Sequence, residues 1–302
     1  MLDSLRSLYV FAQVAEARSF SRAADRLGMT RSAVSKHVAQ LEAELGVQLM
    51  VRTTRRVVLT EVGERVQASC LRLVEQVEAA HEAALGQGAA ISGPLRVTAP
   101  TALGRSYLVP LVVEFMRRHP AISVELVLSD SFVDLVEERI DVALRVGGRT
   151  EQSLVSRRVA SVAFFLVASP DYVARHGMPR SPAALAEHAF ILHTPSGARP
   201  RLTLAKGRRR ETVRIDGRFA CDDGPANLRA AKAGLGLILV PDFEVASDLE
   251  QGDLVRVLPS WKSEDAALYL VFPPRTHVLG RVRAFADCVV EGFRVPPWRV
   301  GD

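Results

Sequence analysis

Five residues are spaced to share one exposed helical surface: Thr30 at its start, then Arg31, Ser32, Ser35 and Lys36. Short hydroxyl side chains let a helix backbone come close to the floor of a duplex groove, and Arg or Lys donates to guanine acceptors there. The chemistry on offer is hydrogen-bond readout of base edges. A solvated outer face of an ordinary amphipathic helix is the alternative. Local charge favours the first reading, since residues 18–56 hold eight Lys or Arg against three acids. A phosphate backbone is the natural counterpart of such an excess.

The elements that must present this face can be read around it. Val34, Val38, Leu41 and Leu45 recur at helical spacing and form a core-facing stripe opposite the hydroxyls. Thr30 fits an N-cap, and Gly28 fits the left-handed residue that ends a preceding short helix. Leu5, Leu8, Phe11, Val14 and Ala15 predict a supporting helix. Leu49 to Thr60 reads as a two-stranded wing whose basic residues Arg52, Arg55 and Arg56 suit a narrow minor groove. Thr60 then caps a long helix, on which Val66, Cys70, Leu73, Val77, Ala80 and Ala84 form an a/d seam. No helix of like length stands elsewhere in the chain, so a second copy is the expected partner, with packing on the chain's own C-terminal domain as the alternative.

Ser19-Phe20, Ala23-Ala24, Leu27, Ala33-Val34-Ser35, Leu41-Glu42, Leu45-Gly46, Leu49, Arg52 and Leu59-Thr60 together resemble the winged helix-turn-helix of LysR-type transcriptional regulators. The resemblance implies an operator-reading second helix, a wing in the minor groove and a long helix that makes a dimer. The sequence departs from the family in Thr30-Arg31, where Ser-Gln is common, and in Leu49-Met50, where Leu-Phe is usual.

At 302 residues with a 48% hydrophobic fraction, the chain is long enough for about two domains with real cores. Of the net charge of +5, residues 1–60 carry nine basic and five acidic side chains, hence +4. No apolar run reaches the roughly 18 residues of a membrane span, and the first helix is broken by Arg6, Gln13 and Glu16, unlike a signal peptide. A cytoplasmic location with no membrane association is expected. Cys70, Cys221 and Cys288 are odd in number and far apart, which speaks for free thiols.

Periodicity breaks at Gly86–Pro94, a linker, and changes beyond it. Short apolar runs at 95–99, 124–128 and 142–146 alternate with helical stretches at 107–118 and 132–139, the pattern of a mostly parallel sheet. A second set follows with strands at 162–168, 190–193, 218–221 and 235–240, and the chain closes on a strand at 268–272 and a helix near 278–293. The expected fold class is α/β. It comprises a winged helix-turn-helix over 1–60, a linker helix over 61–88, a hinge at 89–94 and a two-lobed effector domain over 95–302. That domain resembles periplasmic binding proteins, with lobe I at about 95–166 and 268–302 and lobe II at about 167–267.

Ligands in such folds sit outside the carboxyl ends of parallel strands. This rule selects Thr98, Pro100, Thr101, Ser129, Arg145, Val146, Gly147, Thr194 and Asp222, where the family resemblance implies an effector. Caps and turns are the competing roles for these residues, and Arg145 would pair either an anionic ligand or Asp141. Lys206-Gly-Arg-Arg-Arg reads as a solvated hairpin tip, with a second DNA contact as the alternative. No nucleophile elbow, zinc motif, phosphate loop or Cys-x-x-Cys is present, so no catalysis, cofactor or metal is expected. A helix-turn-helix fused to a catalytic domain and a storage module without DNA are the rival readings. The expected partners are double-stranded operator DNA, a small-molecule effector and further copies of the chain in a homodimer or homotetramer, with contact to RNA polymerase left open.

Overall fold

A computed structural model describes residues 2–52, 57–85, 91–147, 154–193, 201–274 and 279–299. The chain divides into two compact units, Met1–Ala89 and Ala90–Asp302.

The first unit contains α1 (Leu2–Ala17), α2 (Phe20–Leu27), α3 (Arg31–Leu45), strands β1 (Met50–Arg52) and β2 (Val57–Leu59), and α4 (Glu61–Leu85). Local chemistry sets the helix ends. Ser19 Oγ accepts from Arg22 N, Thr30 Oγ1 accepts from Ala33 N at 3.2 Å, and Gly28 and Gly46 close α2 and α3 at φ 61° and 66°. Phe11, Val14, Ala23, Val34, Val38, Leu41, Leu49 and Met50 form one buried core. Two residues expected in that core lie outside it: Leu5 at the start of α1 is 44% exposed and Leu45 at the end of α3 is 46% exposed. Both sit at helix ends that overhang the core, where the stripe continues but its cover does not. Gly63 lets α4 pass close to the chain before the wing, because a Cβ there would lie 1.9 Å from the Leu49 carbonyl oxygen. That oxygen accepts from Thr60 N at 3.0 Å.

The second unit opens with β3 (Gly93–Ala99), α5 (Thr101–Leu103), a π-helical turn (Gly104–Leu108), α6 (Val109–Arg118), β4 (Ile122–Leu128) and β5 (Val142–Val146). It continues with β6 (Val155–Val162), β7 (Phe164–Ala168), α7 (Pro170–His176), β8 (Ala189–His193), β9 (Arg201–Lys206), β10 (Arg209–Arg214) and β11 (Asp216–Cys221). The last elements are α8 (Gly224–Lys232), β12 (Ile238–Pro241), α9 (Asp242–Gln251), β13 (Val255–Arg256), β14 (Ala266–Phe272) and α10 (Gly280–Gly292). One sheet runs β4-β3-β5-β14-β6 and another β12-β7-β13, with β11-β8 and β10-β9 as two-stranded pairs.

The large sheet is mixed, in contrast to the mostly parallel sheet expected. β3 pairs β4 and β5 in parallel, whereas β14 runs antiparallel to β5 and β6. The antiparallel strands flank the passage between lobes. Val162 pairs with Ala266 in the large sheet and Phe164 with Pro241 in the smaller one, so the chain changes sheets at Ala163. Asp242 holds that point from both sides: its amide donates to the Ala163 carbonyl at 2.8 Å and its Oδ2 accepts from Ala163 N at 3.2 Å.

Turns span only 135–139, and 132–134 belong to no regular element, where the sequence predicts a helix over 132–139. Asp134 Oδ1 accepts from Val136 N and Glu137 N, so one turn is satisfied locally, and Arg139 at φ 54° ends it. Phe132, Leu135 and Val136 have the i, i+3, i+4 spacing of a helix, but of the three only Leu135 reaches the core, Phe132 and Val136 being exposed.

The C-terminal tail adds a buried tryptophan. Trp298 stacks edge-on against Tyr107 of the π-helical turn, Phe243 of α9 and Phe293, with centroids 5.1–5.7 Å apart. It thereby joins side chains from both lobes. Trp298→Ala is predicted to cost about 3–5 kcal/mol, read as a lowered melting temperature of the full chain; an unchanged melt would show the tail is not part of the core.

Candidate nucleic-acid interface and ligand cleft

The face read from the sequence is assembled in the structure. Arg31, Ser32, Ser35 and Lys36, with Ala39, line one open groove of about 540 Å³ on α3. Thr30 stands beside it as the exposed N-cap. α3 is held in three places that sequence spacing did not reveal. Glu42 Oε1 accepts from Leu49 N at 2.8 Å and Met50 N at 3.2 Å, tying the helix to β1. The hydroxyl of Ser7, wholly buried on α1, meets His37 Nδ1 at 3.0 Å, and Ser4 Oγ donates to Glu44 Oε2 at 2.9 Å. The inner valines fix the helix's rotation, and these polar ties fix its position along its axis. Arg52 is placed by its backbone in β1; Arg55 and Arg56, at the expected wing tip, lie outside the described residues.

On α4 the a/d seam separates into two parts. Cys70 belongs to the unit's own core, where burial pushes its thiol up to about 11, and Val66 packs half-buried against it. Leu73 and Val77 are 43% and 58% exposed. Leu8, Leu45, Val62, Val66, Cys70 and Leu73 line an apolar groove of about 310 Å³. The exposed Leu45 thus has a place in this groove. Ala80 and Ala84 continue α4 as backbone, their side chains lying outside the described ones.

In the second unit the carboxyl ends of β3, β4 and β5 lie at one edge of the large sheet because the three strands are parallel and in register. Thr98 is buried and donates its hydroxyl to the Val127 carbonyl at 2.9 Å, a structural bond within the sheet. Pro100 precedes α5, and its carbonyl accepts from Gly104 N at 2.8 Å. Thr101 begins α5, and its amide donates to Asp130 Oδ1 at 2.9 Å. Ser129 Oγ accepts from Ser131 N at 3.2 Å, a turn contact. Val146 ends β5 and Gly147 follows it at φ 60°, donating to the Ala267 carbonyl. Arg145 stands over the Phe132 ring at 5.0 Å and donates to the Val133 carbonyl, while Asp141 accepts from Arg96 N at 2.7 Å. Asp222 is exposed beside Cys221 at the end of β11, and Thr194 lies outside the described residues.

Sequence reasoning missed the carboxylates gathered where the lobes meet. α5 packs against both α8 and α9. Gly224, which begins α8 after Asp223, faces the Glu244 carboxylate of α9 so closely that a Cβ would lie 3.2 Å from its Oε2. Burial, and then the neighbouring charges of Asp130 and Asp223, push the Glu244 carboxyl up to about 7. Burial likewise raises Asp242. Asp130 occupies the amide at the start of α5, where an anionic ligand would otherwise be received.

Glu244 supplies a pH-dependent term with a definite sign. The folded chain keeps this proton up to about pH 7 and the unfolded chain loses it near 4.5, so stability falls as pH rises between those values. Glu244→Gln is predicted to raise stability above about pH 7 by upwards of about 1 kcal/mol, read as a higher melting temperature, with no gain below about pH 4.5. Equal melts at the higher pH would show that the carboxylate is well solvated.

Among the described residues no group of three or more His, Cys, Asp or Glu side chains is placed to hold a metal, and no helix is long and apolar enough to cross a membrane. The profile described as "LysR substrate binding domain" matches residues 88–294, and "Bacterial regulatory helix-turn-helix protein, lysR family" matches residues 5–64. The chain is 34% identical to the HTH-type transcriptional regulator PtxR of Pseudomonas aeruginosa, over 98% of this chain and 95% of that one. It is also 34% identical to the regulator CrgA of Neisseria meningitidis serogroup C, over 96% and 97% of the two chains. A solved structure of CrgA, a LysR-type transcriptional regulator from Neisseria meningitidis, matches with a TM-score of 0.61 and 33% identity, over 95% of this chain and 97% of that one. With a helix-turn-helix unit, a two-lobed α/β unit and relatives across its length, this chain belongs to the LysR family: it is a DNA-binding transcriptional regulator, not an enzyme, and responds to a small-molecule effector through its regulatory domain.

Proposed function

We propose that this regulator reads its operator with the exposed face of α3 and senses its effector in the cleft between the lobes of residues 95–302. The observation that carries the first part is the groove in which Arg31, Ser32, Ser35 and Lys36 come together on the side of α3 away from the buried Val34, Val38 and Leu41. Ser32 and Ser35 admit the helix to the groove floor, while Arg31 and Lys36 supply donors for guanine O6 and N7. Residues 1–60 act as the DNA-binding unit, with Arg52, Arg55 and Arg56 of the wing directed to the minor groove. A cytoplasmic location follows from the work of binding operator DNA.

Residues 61–88 serve as the dimer helix in this reading, 61–85 forming α4 and 86–88 lying outside the described residues. Leu73 and Val77 are apolar yet exposed, and the adjoining groove offers a second copy's helix an apolar seat. A two-fold dimer presents two recognition helices to half-sites one helical turn apart, or a multiple of it. Pairing of two such dimers gives the tetramer. The effector then acts by changing the angle between lobes about Ala163. Of the expected contact residues, Thr101 bonds Asp130 through its amide and Asp222 adjoins Asp223, while Pro100, Ser129, Val146 and Gly147 follow or end neighbouring strands; Thr194 lies outside the described residues. Thr98 and Arg145 support the cleft from beneath. Coupling of about 1–3 kcal/mol between cleft and operator gives roughly 5- to 150-fold control.

Two measurements test this reading. Arg31→Ala and Ser35→Ala are expected to weaken operator binding by about 1–3 kcal/mol while changing binding to mixed-sequence duplex much less. Equal loss on both, by gel shift, would leave these residues with phosphate contacts alone. Val77→Asp is expected to yield monomers in sedimentation analysis, since two carboxylates would face each other in a desolvated seam. An unchanged sedimentation profile would move the dimer interface elsewhere.

A further inference from the structure

We propose that the β9–β10 hairpin of the second unit is an additional polyanion surface, one that takes the sugar–phosphate backbone of duplex DNA apart from the bases read by α3. Charge bookkeeping first marks the segment. Residues 201–218 contain seven Lys or Arg (201, 206, 208, 209, 210, 214, 218) against two acids (211, 216), a net +5 equal to that of the entire chain. With residues 1–60 at +4, everything else in the chain sums to −4. The positive charge is therefore concentrated in two places, and recognition by α3 and the wing explains one of them.

The hairpin's register then gives this charge a shape. β9 and β10 pair antiparallel, with Arg201 opposite Arg214, Thr203 opposite Thr212 and Ala205 opposite Arg210. Leu202, Leu204 and Ile215 are buried in the lobe core, with Val213 packed against them, so the ribbon has one inner face and one outer. The outer face carries Arg201, Arg210 and Arg214 around a threonine pair whose hydroxyls bond at 2.9 Å. Lys206 and Arg208 extend the charge to the tip, where Gly207 turns at φ 58°. Arg209 is engaged with Glu211 at 2.6 Å and lies over the Trp261 ring. Among the described residues, no carboxylate pairs with Arg201, Lys206, Arg208, Arg210 or Arg214.

Arg201 and Arg214 face each other directly across the strands, an arrangement that destabilises a sheet when nothing neutralises it. A bound phosphate relieves that repulsion, and guanidinium forks and hydroxyls are the donors that hold one bidentately. Arg210 and Arg214, four residues apart on one strand, span about 14 Å, the axial rise of about four phosphates on one DNA strand. The outer face exposes no large apolar side chain, whereas the centre of a protein–protein interface is enriched in aromatic residues and Met. The surface thus fits a polyanion's backbone better than an acidic protein.

The test uses the full-length chain with Arg201→Gln, Arg210→Gln and Arg214→Gln combined, and a long mixed-sequence duplex as probe. Affinity is measured by fluorescence anisotropy over a series of salt concentrations. Loss of these contacts should flatten the slope of log K against log salt by about 2 to 3. The corresponding triple Lys variant should keep most of the slope, since charge is retained. Thermal melts of both variants check folding; if the Gln variant melts early, the Lys variant compared with Arg→Lys at the exposed Arg294 still decides whether phosphate forks at the hairpin matter, through a weaker affinity at fixed salt. An unchanged slope in a folded Gln variant would overturn the proposal, as would retention of an acidic protein by the hairpin without any change in DNA binding.

Discussion

Burial of Val34, Val38 and Leu41 beneath α1 and α2 is the constraint on which the N-terminal unit depends. Each such side chain contributes about 1.5–3 kcal/mol when removed from water, enough to fix which side of α3 faces outward. The first turns of the outward side then carry what the core does not need: two serines, an arginine and a lysine, with Ala39 beside them. Glu42 completes the arrangement, because its carboxylate satisfies the amides of Leu49 and Met50, which leave the helix for the wing. Helix and wing are joined through a charged acceptor, and such hydrogen bonds are stronger than neutral ones. The reading face is therefore preorganised before DNA arrives, and little ordering is left for binding to oppose.

The regulatory unit works under a different constraint, the narrow passage between its sheets. Ala163 is gripped by Asp242 through two hydrogen bonds, and Trp298 packs residues of both lobes together. Asp130 and Asp223, separate in sequence, bring negative charge to the lobe junction beside Glu244, whose carboxyl burial and those charges keep protonated up to about pH 7. A ligand that changes their balance changes the cost of bringing the lobes together. Asp130 already fills the amide site at the start of α5, so a ligand there meets the chain's own carboxylate.

Much of this was legible in the sequence wherever the information is local. The caps at Thr30 and Thr60, the left-handed Gly28, and the stripe through Val34, Val38 and Leu41 all lie within a few residues of what they govern. Leu45 was misread because the stripe continues past the end of its cover. Residues 132–139 were misread because Phe132, Leu135 and Val136 keep a helical spacing while Asp134 satisfies the amides of a single turn. The tie between Ser7 and His37 joins residues 30 apart, and the meeting of Asp130 with Glu244 joins two lobes. Neither leaves a periodic trace, so only the folded chain reveals them. Candidate cleft residues chosen by the strand-end rule divided similarly: Thr101 and Ser129 stand at the loops, whereas Thr98 spends its hydroxyl on Val127 inside the sheet.

The central claim is that the outer face of α3 is where operator DNA is read, and hydrogen–deuterium exchange of the full chain with and without duplex from upstream of its own gene tests it most directly. Within residues 1–60 the account requires slowed exchange on DNA binding at the start of α3, around Thr30 to Ala39, while α1 and α2 keep their rates. DNA-induced protection on α1 or α2 with α3 unchanged would contradict it.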